Sequence, residues 1–148
     1  IHTPGHVDNH YCFLLEEEGM VFAGDHIMNG STVVIVPPGG NMKAYIESLQ
    51  RLLNYDVSAI APGHGEVIPG CRDEVEKLVR HRLMREAKVV ANLERGGPVS
   101  IETLVVSVYD DVPEAMHRWA QLSLLAHLLK LEVEGRAQQD AGIWSLAA

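Results

Sequence analysis

The stretch IHTPGHVDNHYCFLLEEEGMVFAGD sets His2, His6 and His10 and the carboxylates Asp8 and Asp25 around a Pro-Gly turn, and APGHGEVIPG adds His64 at a second such corner. Imidazole nitrogens and carboxylate oxygens at that density suit zinc and related divalent ions, because a tight turn can aim several donors inward at once. His6 and His10 stand four apart, a helical ligand spacing, but the segment around Pro4-Gly5 is not helical. Spacing alone therefore leaves histidines in a polar surface loop as an equal alternative. Context separates the two readings. Asp25 follows an apolar run and a glycine in FAGDH, and His64 follows VSAIA in APGHG. Strand ends deliver side chains into sites, and a glycine there lets backbones approach closely. Three strand-to-loop exits each carry one ligand-type residue, which core packing of histidine does not explain. The pattern points to a metal site.

The elements that must position these residues are legible. Tyr11 to Leu15 reads as a strand, Glu16 to Gly19 as a turn and Met20 to Ala23 as the return strand. From Gly24 to Gly40 the chain reads as loop, broken by Gly30, Pro37, Pro38, Gly39 and Gly40 around the apolar run TVVIV. Met42, Tyr45, Ile46, Leu49, Leu52 and Leu53 then recur at helical spacing behind Asn41 as N-cap. VSAIAPGHG predicts a short buried strand ending at a Pro-Gly turn. After Pro69-Gly70 the texture changes. Val75, Leu78, Val79, Leu83, Ala87, Val90 and Leu93 predict one helical stripe from Arg72 to Arg95, ended by Gly96-Gly97-Pro98. Ser100 caps a short helix through Tyr109, a third helix runs from Asp111-Val112-Pro113 to Gly135, and a hairpin turns around Asp140-Ala141-Gly142. Helix, helix, long helix and β wing form the outline of a winged helix. Two units are expected, residues 1–71 and 72–148, with 72–95 as the linking helix.

Composition bounds the function. The 148 residues carry a net charge of −8, with 47% apolar, 5% aromatic and 22% charged residues, which argues against disorder. Residues 1–71 hold two bases against eight acids and residues 72–148 ten against twelve, so neither half is a basic nucleic-acid platform. Cys12 and Cys71 form no CxxC, so a reducing cytoplasmic setting fits better than a disulfide framework. No apolar run approaches eighteen residues, so no membrane span is expected.

TPGH, then GD about twenty residues on, then PGHG about forty residues later, resemble the later motifs of the metallo-β-lactamase superfamily in order, spacing and strand-end context. The helix VRHRLMREAKVV and the winged-helix-like tail extend the resemblance to the branch of glyoxalase-II-like hydrolases and the β-lactamase-like ribonuclease, over the whole chain. The resemblance implies an α+β fold: the C-terminal half of an αββα sandwich followed by a small helical winged-helix-like domain. It implies a two-zinc site in the intact protein, with His6 on the first metal, Asp25 bridging both as the catalytic carboxylate, and His64 on the second. A shared carboxylate offsets the repulsion of two nearby cations, and the metals lower the pKa of bound water to roughly 7. Family members carry an earlier HxHxDH motif, and nothing here reads that way. The resemblance thus casts the chain as the C-terminal fragment of a hydrolase, inactive without its missing N-terminal half. That half is the expected partner, and self-association through the uncovered apolar faces of YCFLL and MVFA is the expected result of its absence.

Lesser candidates surround the three. His2 and His10 flank the turn as partners that orient a ligand, with ordinary strand and loop packing as the alternative. His26 faces either the cavity or solvent. Cys12 and Tyr45 read as core. Arg80 and Arg82 are substrate-contact candidates, for phosphates if the substrate is RNA rather than a small molecule, though a solvated helix face is the simpler explanation because most of this basic run lies off the apolar stripe. The bond cleaved is an ester, thioester, amide or phosphodiester. The competing function is a winged-helix nucleic-acid-binding module, but HRWAQLSLLAHLLKL is too apolar to read bases along a face.

Overall fold

A computed structural model describes residues 1–147, in two compact units, Ile1–Arg82 and Leu83–Ala148. The division falls inside the long helix, eleven residues after the composition change at Cys71 suggests, because the start of that helix packs with the first unit.

In the first unit β1 (Phe13–Leu15) and β2 (Met20–Gly24) form the expected hairpin, pairing Phe13 with Phe22 and Leu15 with Met20. The period-two alternation turns Val21 and Ala23 into the core with Cys12, and leaves Phe13, Leu15 and Phe22 exposed. β3 (Ala59–Pro62) lies parallel to β2, and β4 (Ile68–Pro69) pairs antiparallel with β3, giving the order β1-β2-β3-β4. A parallel neighbour needs a crossover, and α1 (Met42–Arg51) supplies it, prolonged by a 3-10 turn at Leu52–Asn54. Asn41 is its cap, with Oδ1 accepting from the Ala44 N–H at 2.9 Å. Met42, Tyr45, Ile46, Leu49 and Leu52 are buried. The run TVVIV stays irregular, anchored by buried Val33 and Ile35.

α2 (Arg72–Gly96) spans the predicted length, but its buried face corrects the predicted stripe. Val75, Leu78, Arg82, Arg85, Glu86, Val89 and Leu93 are buried, while Leu83 and Ala87 face solvent. The observed positions keep a 3.6-residue period from Val75 to Leu93, so helix geometry, not residue hydrophobicity, chose the face. The arginine at 82 is therefore not on a solvated surface.

In the second unit β5 (Val99–Ser100) leads into α3 (Ile101–Val108), a 3-10 turn at Glu114–Met116 and α4 (His117–Val133). The wing is β6 (Ala137–Asp140) and β7 (Ile143–Leu146), in the order β5-β7-β6. Leu93, Leu104, Val105, Val108, Leu124, Leu128, Leu131 and Trp144 make its core. Ser100 holds the N-cap position as expected, but its hydroxyl makes no capping bond to the backbone. α4 buries Ala120, Leu124, Leu128 and Leu131, the packing role its apolar sequence predicts. At its buried side Glu86 meets Lys130 at 2.8 Å, Arg136 at 3.0 Å and His127 at 3.7 Å.

Candidate metal centre

β2 and β3 run parallel, so their carboxyl ends leave the sheet at one edge, the place where parallel strands gather ligands. The pairing slips there, from Phe22↔Ala61 to Gly24↔Pro62. An extra residue in one strand re-aims the side chains just beyond it, and the side chain just beyond Gly24 is that of Asp25. Gly24 has φ +50°, and a Cβ on it would come within 3.0 Å of His10 Nε2. The Gly63 N–H donates to the Gly24 carbonyl at 2.8 Å. A Cβ on Gly63 would stand 2.8 Å from Asp25 Oδ1 and 2.9 Å from the Gly24 carbonyl oxygen. These glycines allow two corners to close on each other. As a result Asp25 Oδ1 lies 3.4 Å from His64 Nε2, with 47% and 73% of the respective side chains open to solvent. Asn29, which sequence reasoning did not single out, braces the second corner. Its N–H donates to the His64 carbonyl at 3.1 Å and its side-chain amide to the Glu66 carbonyl at 3.0 Å. Its place in a loop gave no advance signal.

His6 arrives on the TPGH turn. That turn is tied to α1 by the Asn41 N–H on the Gly5 carbonyl (2.8 Å) and by the Ser48 hydroxyl on the Pro4 carbonyl (2.7 Å). His6 Nδ1 is 2.9 Å from the Val34 carbonyl oxygen. A carbonyl only accepts, so Nδ1 carries a proton, and whenever the ring is neutral Nε2 keeps its lone pair, the arrangement a metal-ligating imidazole adopts. His10 Nδ1 is 2.9 Å from the Thr3 hydroxyl. Burial holds the His10 pKa below its ordinary value, and the His6 charge lowers it further while Asp25 acts in the opposite sense. His6, His10 and Asp25 therefore share one electrostatic neighbourhood. His2 is exposed: its Nε2 donates to the Asp8 carbonyl at 3.0 Å and its ring lies 4.9 Å from that of Tyr11, so it braces the turn that carries His6.

Three further side chains are placed by tertiary contact. His26 is fully buried, not solvent-facing, its ring 5.1 Å from Tyr45 and 5.7 Å from His10. Burial, reinforced by His10, pushes its pKa down to about 3. Tyr45 is core as expected, and its hydroxyl donates to the His26 carbonyl at 3.0 Å. Of the two substrate-contact candidates, Arg80 is exposed, whereas Arg82 is 3% exposed. The Arg82 guanidinium is engaged by the Val33 carbonyl and the Tyr45 ring.

Two imidazoles and a carboxylate are the right donors for zinc or a similar divalent ion. Asp25 and His64 converge, and His6 is in the competent tautomer. Among the described residues, however, no group of three or more His, Cys, Asp or Glu side chains is gathered closely enough to hold a metal. The donors fit in kind, and the close pair is Asp25 with His64.

Residues 1–64 match the family model of the metallo-β-lactamase superfamily, and residues 100–144 match the β-lactamase associated winged helix domain. The chain belongs to the metallo-β-lactamase superfamily. Superfamily members generally bind metal ions, and hydrolase-like proteins are among this chain's relatives. A β-lactamase-like protein 2 homolog of Caenorhabditis elegans is 32% identical over 130 residues, covering 88% of this chain and 42% of that protein. An atrochrysone carboxyl ACP thioesterase of Aspergillus chevalieri is 33% identical over 128 residues, covering 81% and 40%. A metallo-β-lactamase family protein of Thermus thermophilus superposes with a TM-score of 0.85 at 28% identity, covering 99% of this chain and 48% of that one. The chain spans less than half the length of the curated relatives it matches. No helix among the described residues is long and apolar enough to cross a membrane.

Proposed function

We propose that this chain supplies half of the active centre of a zinc-dependent hydrolase acting on an ester or thioester. The carrying observation is the meeting of Asp25 and His64, 3.4 Å apart where two parallel strands end. His6 Nε2 would hold one metal of a pair, His64 the other and Asp25 both, and the remaining donors would come from a preceding segment of the same fold, the chain's principal partner. A bound divalent ion supplies Lewis acidity and a water acidic enough to act as nucleophile near neutral pH. The chain's own residues orient and separate charge. Gly24 and Gly63 bring Asp25 to His64, the Val34 carbonyl fixes the His6 tautomer, and Thr3 holds His10 beside them.

An uncharged carbonyl suits the site better than a phosphodiester. Residues 1–71 hold only Lys43 and Arg51 as bases, and phosphate recognition relies on clustered cations. A thioesterase among the relatives supports the same choice. The exposed Arg80 would contact an acidic group remote from the scissile bond. Two buried free cysteines suit a reducing, cytoplasmic setting.

Zinc calorimetry tests the reading. The chain alone is expected to bind zinc weakly and to show negligible hydrolysis, with the residual affinity abolished by Asp25→Asn or His64→Ala. Joined to a segment carrying HxHxDH, it should bind zinc tightly and cleave acyl thioesters, and lose both on the same substitutions. Tight stoichiometric binding by the chain alone, or activity indifferent to Asp25→Asn, would overturn it.

A further inference from the structure

α2 carries an arginine that the metal-centre reading does not use. Arg82 is buried, its Nη2 donates to the Val33 carbonyl at 2.5 Å, and its guanidinium carbon lies 5.2 Å from the centre of the Tyr45 ring. Its Nε has no hydrogen-bond partner among the described residues. Burying a guanidinium costs several kcal/mol unless its partners repay it, and among the described residues no carboxylate pairs with this one. A purely structural position on this face could hold an apolar side chain, as Leu78 and Val75 do one and two turns earlier.

What the arginine touches gives its use. Residues 31–36 form no helix or strand, so no regular hydrogen-bond ladder orients their peptides. Val33 and Ile35 are buried, and burial fixes position better than it fixes the rotation of a peptide plane. Arg82 takes the Val33 carbonyl, and the next carbonyl, that of Val34, accepts from His6 Nδ1 at 2.9 Å. Adjacent peptides share a residue's φ and ψ, so pinning one restrains the other. Tyr45 completes the frame: its ring takes the cation and its hydroxyl holds the His26 carbonyl, one residue past Asp25.

We propose that Arg82 is a positioning residue for the metal centre, holding the Val33 peptide so that the Val34 carbonyl fixes His6 with Nδ1 protonated and Nε2 free to ligate. The metal role of His6 is taken from the proposed function; the orienting contact is independent of it. Carbonyl or carboxylate partners of a ligating histidine are typically worth 10–100-fold in metal affinity, and Arg82 acts one peptide further out.

The test is nitrogen NMR of the His6 ring in the full chain at about pH 8.5, where ordinary imidazoles are neutral. In the unsubstituted protein His6 should show a pyrrole-like Nδ1 and a pyridine-like Nε2. Arg82→Met should convert this to a mixture of tautomers and weaken zinc binding by about tenfold, toward the lower end of that range. Arg82→Lys, which keeps charge and one donor, should restore much of the single tautomer and serves if Arg82→Met does not fold. Arg85→Lys, a comparably buried arginine of the second unit, controls for general loss of stability and should leave the His6 signals unchanged. His6 remaining a single Nδ1–H tautomer in folded Arg82→Met, or in Arg82→Lys if only that variant folds, overturns the proposal. His6→Ala separates the two claims. If it leaves zinc affinity intact while Arg82→Met still shifts the tautomer, the metal reading of His6 fails and the positioning contact stands.

Discussion

At the residue scale, the centre depends on atoms that are not there. Gly63 lets two strand ends meet because it has no side chain; a methyl group would need the space of Asp25 Oδ1, 2.8 Å away. Gly63→Ala is therefore expected to cost about 1–3 kcal/mol, the usual penalty of overpacking, and to displace the carboxylate. Thermal melting reads the first effect, and zinc titration of the complete fold reads the second as a loss of affinity larger than the stability loss alone produces. Glu86 gives a residue-level prediction of another kind. Burial by itself would raise its pKa, but His127 at 3.7 Å and the Lys130 ammonium at 2.8 Å reverse this and hold it at about 2, against an ordinary 4.5. Its folded pKa is depressed, so its stabilisation is complete above pH 4.5 and is lost as pH falls towards 2. Glu86→Gln should cost about 1–3 kcal/mol near neutrality, since it removes a charged partner from Lys130 and Arg136, which then keep only Glu134 among the described residues. It should also flatten the acid limb of the stability curve. An unchanged acid midpoint in the variant would show that Glu86 does not drive that limb.

At the element scale, α2 distinguishes pattern from packing. The sequence places Leu83 and Leu93 on one apolar stripe, whereas the fold exposes Leu83 and buries Leu93. Leu93→Ala should cost about 2–5 kcal/mol, as core truncations do, while Leu83→Ala should fall within about 0.5 kcal/mol of neutral. Denaturant unfolding of the two variants decides between the faces, and equal losses would mean that the observed rotation of the helix is wrong. The hairpin shows a similar divergence. Its strands alternate as the sequence predicts, but alternation has two sides. Val21 and Ala23 found a core, whereas Phe13 is 68% exposed and Phe22, directly opposite it, 49%.

At the scale of the whole molecule, that exposed pair has a consequence. Phe13 and Leu15 on the edge strand β1, Phe22 beside them on β2 and Tyr11 just before β1 are exposed apolar side chains, and such surfaces recruit partners. The chain should self-associate in a concentration-dependent way, and Phe13→Ser with Phe22→Thr should shift it towards monomer while leaving the buried sides of both strands intact. Sedimentation velocity across a wide concentration range checks this; a single monomeric boundary for the unsubstituted chain at high concentration would count against it. A segment completing the sandwich should suppress the association by covering the same face.

Local chemistry made much of the protein readable in advance. Asn41 caps α1 because its side chain can reach the Ala44 amide, Gly19 and Gly142 turn hairpins because they accept positive φ, and Asp25 and His64 were identifiable because glycine and a short apolar strand precede each. These depend on neighbours within a few residues, which the sequence displays directly. What tertiary structure alone decided are relations between distant segments. The parallel pairing of β2 with β3 put Asp25 beside His64, crowding by Tyr45 and His10 buried His26, and the rotation of α2 turned Arg82 inward rather than Leu83. Each of these is set by which surfaces meet across dozens of residues, and a helical or strand period specifies that a face will be buried without specifying against what.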